Sequence, residues 1–320
     1  MKKCVLVMVL LCLSVKTFSW GFYGHKLINY QAVFLLPPEM TVFYKKNILF
    51  LSEHAVDPDK RRYAVKDEGP KHYIDMDRYG PAPYKVPRRW RDAVEKFTED
   101  SLKTHGIVPW WIQIMMARLT TAFKNRDPAR ILKLSAELGH YMADAHVPLH
   151  ASSNHNGQYS NQKGIHGFWE SRIPELLAEK EWDFFIGRAE YIPKLLDFTW
   201  DRVLESAAAA DSVLWLERKL NDSFPSDRKY AFENRNGVIA KQYSAEYSMA
   251  YNLVMNNMVE RRIRQSMFAV ASSWYTAWLN AGKPDLRKLS HAGFSEQETK
   301  DFEELDLKWK SEAIKGRSCD

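Results

Sequence analysis

The chain has 320 residues, of which 45% are hydrophobic and 27% charged, enough for a substantial core and unlike a disordered or fibrous polypeptide. Its formal charge of +6, from 46 basic and 40 acidic residues, is too small a surplus to argue by itself for a nucleic-acid or anionic-membrane partner. Aromatic content of 13% suits bulky helical packing and also a pocket with stacking walls.

The N-terminus reads MKKCVLVMVLLCLSVKTFS. Lys2 and Lys3 precede an apolar run, Val5–Val15, and Thr17 and Ser19 are the small residues before a cut at Trp20. This is the pattern of a secretory signal peptide over residues 1–19, too short to span a bilayer, and it predicts a secreted or periplasmic protein. Lys2, Lys3 and Lys16 leave with it, so 43 basic residues face 40 acidic ones and the net charge falls to +3. Cys4 and Cys12 leave as well, which leaves Cys319 alone and no internal disulfide. Bound metal can take over the stapling role. No other stretch is long and apolar enough to span a membrane.

The mature chain opens Trp20-Gly-Phe-Tyr-Gly-His25 and continues into a helix expected near Lys26–Leu36, ended by Pro37-Pro38. Glu39–Val56 is apolar at helical spacing, and Pro58 marks Asp57 as a helix-end residue. Lys66–Pro87 reads as a long charged loop, a kind of segment that is often functional. Helices are expected at Trp90–Thr104 and Pro109–Lys124, and a third starts at Asp127-Pro128, an N-cap followed by a first-turn proline. Ala151–Gly164 is a polar loop, followed by a helix from Ile165 to Glu179. Ile186–Leu220 and Val238–Ala281 are long helical patterns, and Gly282 and Pro284 stop the second. No run of alternating strands stands out. The expected fold is all-α: one helical domain over residues 20–282 and a charged C-terminal tail over 283–320, carrying one amphipathic helix and a frayed end.

The chemistry concentrates in Gly139–Glu170, which holds His140, Asp144, His150, His166 and Glu170. His140 and Asp144 stand four apart, as do His166 and Glu170, so each pair lies on one helical face and can grip one side of an ion. His25, Asp57, His72 and the freed amine of Trp20 add to the set; an α-amine with a pKa of roughly 8 can deprotonate and bind metal near neutral pH. These nitrogen and carboxylate donors suit zinc. They are too many for one ion but enough for two or three if a carboxylate bridges. Taken singly, each residue has a plainer use: a helix cap, a solvated face, a loop histidine. It is the joint spacing that argues for a cluster. His54, His105, His146, His155 and His291 are left outside it; His146, two residues from Asp144, points away from that face.

The run His140-Tyr-Met-Ala-Asp144-Ala-His-Val-Pro148-Leu-His150-Ala151 resembles the signature of zinc-dependent phospholipase C, HYxGDxxxPxHxxN, with Ala143 in place of a Gly or Thr and Asn154 one residue late. It is also similar to the related single-strand-specific zinc nucleases of fungi and plants, and the likeness extends from Trp20 to about Leu177. The resemblance implies a multi-helix bundle around three zincs: Asp57, His72, His140 and Asp144 holding one; His150, His166 and Glu170 a second; the Trp20 amine and carbonyl, His25 and a bridging Asp144 the third. It also implies catalytic roles for Asp57 in orienting or deprotonating the attacking water, for Asp144 as the carboxylate that touches two zincs, for Lys60 as a phosphate contact in an Arg position, and for Tyr73 as a stacking residue.

The implied reaction is hydrolysis of a phosphodiester, since two zincs about 3.5–4 Å apart can activate water and neutralise an in-line displacement at phosphorus. Two substrates stay open, with a phospholipase C-type reaction preferred and a single-strand-specific nuclease as the alternative. Glu170 in the last ligand position and the missing disulfides favour a phospholipid and a phospholipase C-type reaction; Trp169, Pro174 and Tyr73 favour single-stranded DNA or RNA. A third alternative is a non-catalytic secreted binding protein with structural zinc. Trp110-Trp111 and Phe268, Trp274, Tyr275 and Trp278 admit transient membrane-surface contact, but helical core packing accounts for them more simply.

Overall fold

The computed structural model describes residues 21–82, 85–235, 237–289 and 293–317. The first helix, α1 (Gly21–Ala32), ends in a 3₁₀ turn before Pro37. The single helix expected over Glu39–Val56 is broken into α2 (Pro38–Lys46), α3 (Ile48–Glu53) and a 3₁₀ turn, His54–Val56. Asp57 does not end a helix; it begins α4 (Asp57–Ala64), with Pro58 in the first turn, where its missing N–H goes unneeded. The charged loop that follows is ordered by two 3₁₀ turns, Lys66–His72 and Met76–Tyr79.

Trp90–Thr104 divides into α5 (Trp90–Phe97) and α6 (Glu99–His105) at Thr98, whose φ of 66° breaks the first helix while its hydroxyl caps the second. Then come α7 (Val108–Asn125) and α8 (Pro128–Asp144), the latter capped by Asp127. Every residue of α8 from Leu134 through Asp144 is buried. A helix covered on all sides must lie at the centre of its fold, and α1, α3 and α7 pack around it. Several polar groups that this burial traps are paired: Tyr44 with Ser135 Oγ at 2.8 Å, and Asn29 Nδ2 donating to the carbonyls of Ala136 and Leu51 at 3.0 and 3.1 Å.

The loop after α8 leads to α9 (Ile165–Gly167), a π-turn (Phe168–Arg172) and α10 (Ile173–Glu181). Of the span expected to be helical from Ile186, the first part is extended, because Gly187 takes φ 115° and Pro193 lies within it. Helix α11 (Leu195–Ser223) begins only after that proline. The second long pattern opens not as helix but as β2 (Val238–Tyr243), paired in an unexpected hairpin with the preceding β1 (Tyr230–Arg235), antiparallel with Tyr230 opposite Tyr243. It then forms α12 (Ala245–Val254) and α13 (Met258–Asn280), separated at Asn256 and Asn257, both with φ of 52°. Helix α13 also packs against α8. Within the charged stretch from residue 283, α14 (Glu296–Ser311) starts at a capping box on Ser295 and packs on α4.

The fold is all-α apart from this hairpin. Among the described residues no helix is long and apolar enough to cross a membrane. Trp110, Trp274 and Trp278 are buried, with Trp274 Nε1 donating to the Ser135 carbonyl at 2.9 Å, so they form core and offer no membrane surface.

Candidate metal centre

Four elements converge on one buried pocket of ligand atoms. Helix α1 carries His25, the 3₁₀ turn after α4 ends at His72, α8 carries His140 and Asp144, and the short turn Pro148–Ala151 presents His150. The π-turn widens the helix at Phe168–Arg172 and sets Glu170 against His166, with Glu170 Oε2 2.9 Å from His166 Nε2. All of these side chains are buried.

Asp144 divides its carboxylate between two groups. Its Oδ2 lies 3.0 Å from His72 Nδ1 and 3.3 Å from His140 Nε2. Its Oδ1 lies 3.3 Å from His25 Nε2 and 3.7 Å from His150 Nδ1. Burial disfavours its charge, but His140 and His150 outweigh that and hold the carboxyl well below the usual range. The third group, His150, His166 and Glu170, adjoins Asp144 through His150, whose Nε2 lies 3.2 Å from Glu170 Oε1. Here too burial is overcome, by His166 and His150, and the Glu170 carboxyl falls to about 2.

The backbone fixes the histidine tautomers. A carbonyl can only accept, so each Nδ1 that faces one must carry the proton. His140 Nδ1 donates to the Ala55 carbonyl at 2.9 Å, His150 Nδ1 to the His72 carbonyl at 2.5 Å, and His166 Nδ1 to the His155 carbonyl at 3.1 Å. Each Nε2 is left with its lone pair turned into the pocket, the arrangement of a histidine prepared for a metal. Burial drives the His72 pKa down to about 4, which keeps that ring neutral and able to ligate. Behind His72, Glu68 accepts from Tyr141 and from Lys71 at 2.7 Å, and Arg61 bridges Glu68 to Glu137. The donors, their burial and their prepared lone pairs fit a cluster of zinc ions.

One carboxylate differs from the sequence expectation. The acid beside His72 and His140 is Asp59, whose Oδ1 stands 3.7 and 3.8 Å from their ring nitrogens. Asp57 turns the other way, with Oδ2 2.7 Å from His54 Nδ1 and Oδ1 3.3 Å from Lys60 Nζ. Residues two apart on a helix point about 200° apart, so only one of the two can face the pocket. Because Asp57 opens α4, it is Asp59 that reaches inward. Sequence reasoning named Asp57 alone, although Asp57-Pro-Asp59 offered a second acid two residues on. Trp20 lies outside the described residues. Lys60, on α4, and Tyr73, next to His72, both have partners outside the ligand set: Lys60 pairs with Asp306 at 2.7 Å, and the Arg317 guanidinium lies 4.0 Å from the centre of the Tyr73 ring.

A helical shell that closes buried histidines and carboxylates around sites for several ions defines a class, the zinc-dependent phosphodiester hydrolases. The S1/P1 nuclease family model matches residues 20–277, and the chain belongs to that family. The match runs well past Leu177, so the later helices are part of the family fold. No match to a curated protein was found.

Proposed function

We propose that the chain is a secreted zinc-dependent nuclease that hydrolyses phosphodiester bonds of single-stranded nucleic acid. The observation that carries the reading is Asp144, whose two oxygens serve separate histidine groups in a pocket where three Nε2 lone pairs are fixed by the backbone. Family membership supports a nucleic-acid substrate over a phospholipid. Three ions are the proposed complement. Asp59, His72, His140 and Asp144 would hold one, His150, His166 and Glu170 a second, and His25, Asp144 and the Trp20 amine and carbonyl the third. Zinc in such a set supplies Lewis acidity and lowers the pKa of bound water.

The protein's own part is to hold, orient and exclude. Asp59 takes the metal-binding place first expected of Asp57. Arg62 lies three residues after Asp59, with its guanidinium 3.6 Å from that carboxylate. This repeats, two positions on, the interval that the family resemblance gave to Asp57 and Lys60. Arg62 is therefore the proposed phosphate contact, and its planar fork suits phosphate better than a lysine ammonium. Lys60 adds a positive charge at the rim, and Tyr73, next to His72, offers a ring on which a base can stack.

A phospholipase C-type activity is the second reading, favoured by Glu170 as the last carboxylate of the His150 group. Turnover of single-stranded DNA and of phosphatidylcholine by the processed chain, side by side, decides between them. Cleavage of DNA that stops with a chelator and returns with zinc is the expected result. Release of the phospholipid headgroup without DNA cleavage reverses the reading, and zinc binding with no turnover of either makes the metal structural.

A further inference from the structure

The family match stops at residue 277, yet residues 293–317 pack on α4, which carries Asp59, and reach Tyr73, next to His72. From that position the segment contacts three side chains that the nuclease reading offers to substrate. Asp306 places a carboxylate 2.7 Å from Lys60 Nζ, where a phosphate oxygen would sit. The main-chain carbonyl of Arg317 accepts from Arg62 Nη2. The Arg317 guanidinium lies flat enough on Tyr73 to come within 4.0 Å of its ring centre, the place of a stacked base.

The segment is firmly seated. Arg317 Nη1 binds Asp75 Oδ1 at 2.5 Å and Nη2 donates to the Ser152 carbonyl at 3.1 Å. Lys315 joins α4 through its backbone N–H to the Arg62 carbonyl at 2.9 Å and through Nζ to the Ala64 carbonyl at 3.1 Å. Further out, Trp309 packs on Phe22 at 5.0 Å, Phe294 stacks on Phe50 at 4.5 Å, and Phe302 covers His54 at 4.4 Å. So many anchors, from both ends of α14 and beyond it, describe a fixed wall and not a loosely resting tail.

We infer that residues 293–317 are a specificity element that closes one end of the substrate groove by occupying Lys60 and Tyr73, so that the enzyme acts on short phosphodiesters such as dinucleotides in preference to the interior of a long strand. The inference rests on the nuclease reading above. An acidic side chain on the lysine and a planar cation on the tyrosine are the substitutes that would compete with a continuing phosphate and base, while leaving Asp144 and the histidine groups untouched.

The test compares kcat/KM for a thymidine dinucleotide and for a long single-stranded oligonucleotide in the zinc-loaded full chain and in Arg317→Ala, Asp306→Ala and the double variant. Vacating one stacking position and one phosphate position should raise oligonucleotide cleavage by about tenfold or more, mainly through KM, because base stacking alone is of that order. Dinucleotide turnover and zinc content should stay close to those of the parent. A ratio of oligonucleotide to dinucleotide cleavage that is the same in all four proteins overturns the inference and leaves the nuclease reading standing. Failure of every protein to cleave either substrate overturns the nuclease reading itself. If the double variant melts early, the two single variants, each removing only one contact, carry the same comparison.

Discussion

Asp59 Oδ1 stands 3.8 Å from His140 Nε2, while the Asp57 carboxylate, two residues earlier, is held by His54 and Lys60. Asp59→Asn should therefore lower the zinc content by about one ion per chain, since a neutral amide is a poor substitute for a carboxylate in a zinc site. Hydrolysis should fall with it. Asp57→Asn should keep full zinc and lose mainly the rim contacts of His54 and Lys60. Metal analysis of the two dialysed variants checks this, and the opposite pattern would return the ligand role to Asp57.

Glu170 is the carboxylate of the group formed with His150 and His166, of which Asp144 is not a member. Its pKa near 2 leaves it ionised at any working pH, with burial opposed by His166 and His150. Glu170→Gln should remove one zinc while the groups around Asp144 remain filled. Chelation of the parent should lower its thermal midpoint sharply, because ligands that bind only the folded chain stabilise it by mass action. Calorimetry with and without chelator reads the second effect, and an unchanged midpoint would mean that these ions contribute nothing to the fold.

Spacing alone made the pairs His140–Asp144 and His166–Glu170 readable, because a four-residue interval has a fixed geometric meaning on a helix. Asp57 and Asp59 show the limit of that logic. Which of two acids faces inward depends on where α4 begins, and Pro58 marks a helix start as readily as a stop. The hairpin was hidden because exposed Phe232 and Ile239 gave no clean alternation, although the dipeptide Asn236-Gly237 between two apolar runs was a local signal for it. The break before α13 falls on Asn256 and Asn257, which accept positive φ better than most residues and leave no mark in hydrophobic periodicity. The packing of residues 293–317 over Lys60 and Tyr73 is tertiary, and no local pattern records it.

Helix α14 is started by a reciprocal pair in which Ser295 Oγ accepts from the Glu298 N–H at 3.2 Å and Glu298 Oε2 accepts from the Ser295 N–H at 2.8 Å. Ser295→Ala should weaken that end of the helix by about 1 kcal/mol, and faster hydrogen exchange in the first turn of α14 is the readout. The same pair gives a pH dependence. The backbone N–H of Ser295, and then its hydroxyl, hold the Glu298 carboxyl below its ordinary value. A group whose folded pKa is depressed adds stability above its unfolded pKa, about 4.3, and loses it as the pH falls through the folded value. First-turn protection in α14 should thus hold at neutral pH and decline only in acid. In the Ser295→Ala variant this acid-dependent step should shrink.

Gly139 precedes His140 on α8, and a methyl group there would lie 2.0 Å from Asn29 Oδ1. Asn29 cannot yield without cost, because its Nδ2 is shared by the carbonyls of Leu51 and Ala136. It also sits one turn along α1 from His25, whose ring stacks on His140 at 3.9 Å. Gly139→Ala should therefore do two things at once. It should destabilise the chain by on the order of 3 kcal/mol through overpacking and unpaired buried carbonyls. It should also weaken zinc binding, by moving His25 away from Asp144. If the clash with Asn29 is the cause, Asn29→Ala makes room for the methyl group, and the double variant should be more stable than the sum of the single losses. Urea unfolding of the four proteins measures the coupling; strictly additive losses would place the strain of Gly139→Ala somewhere other than Asn29.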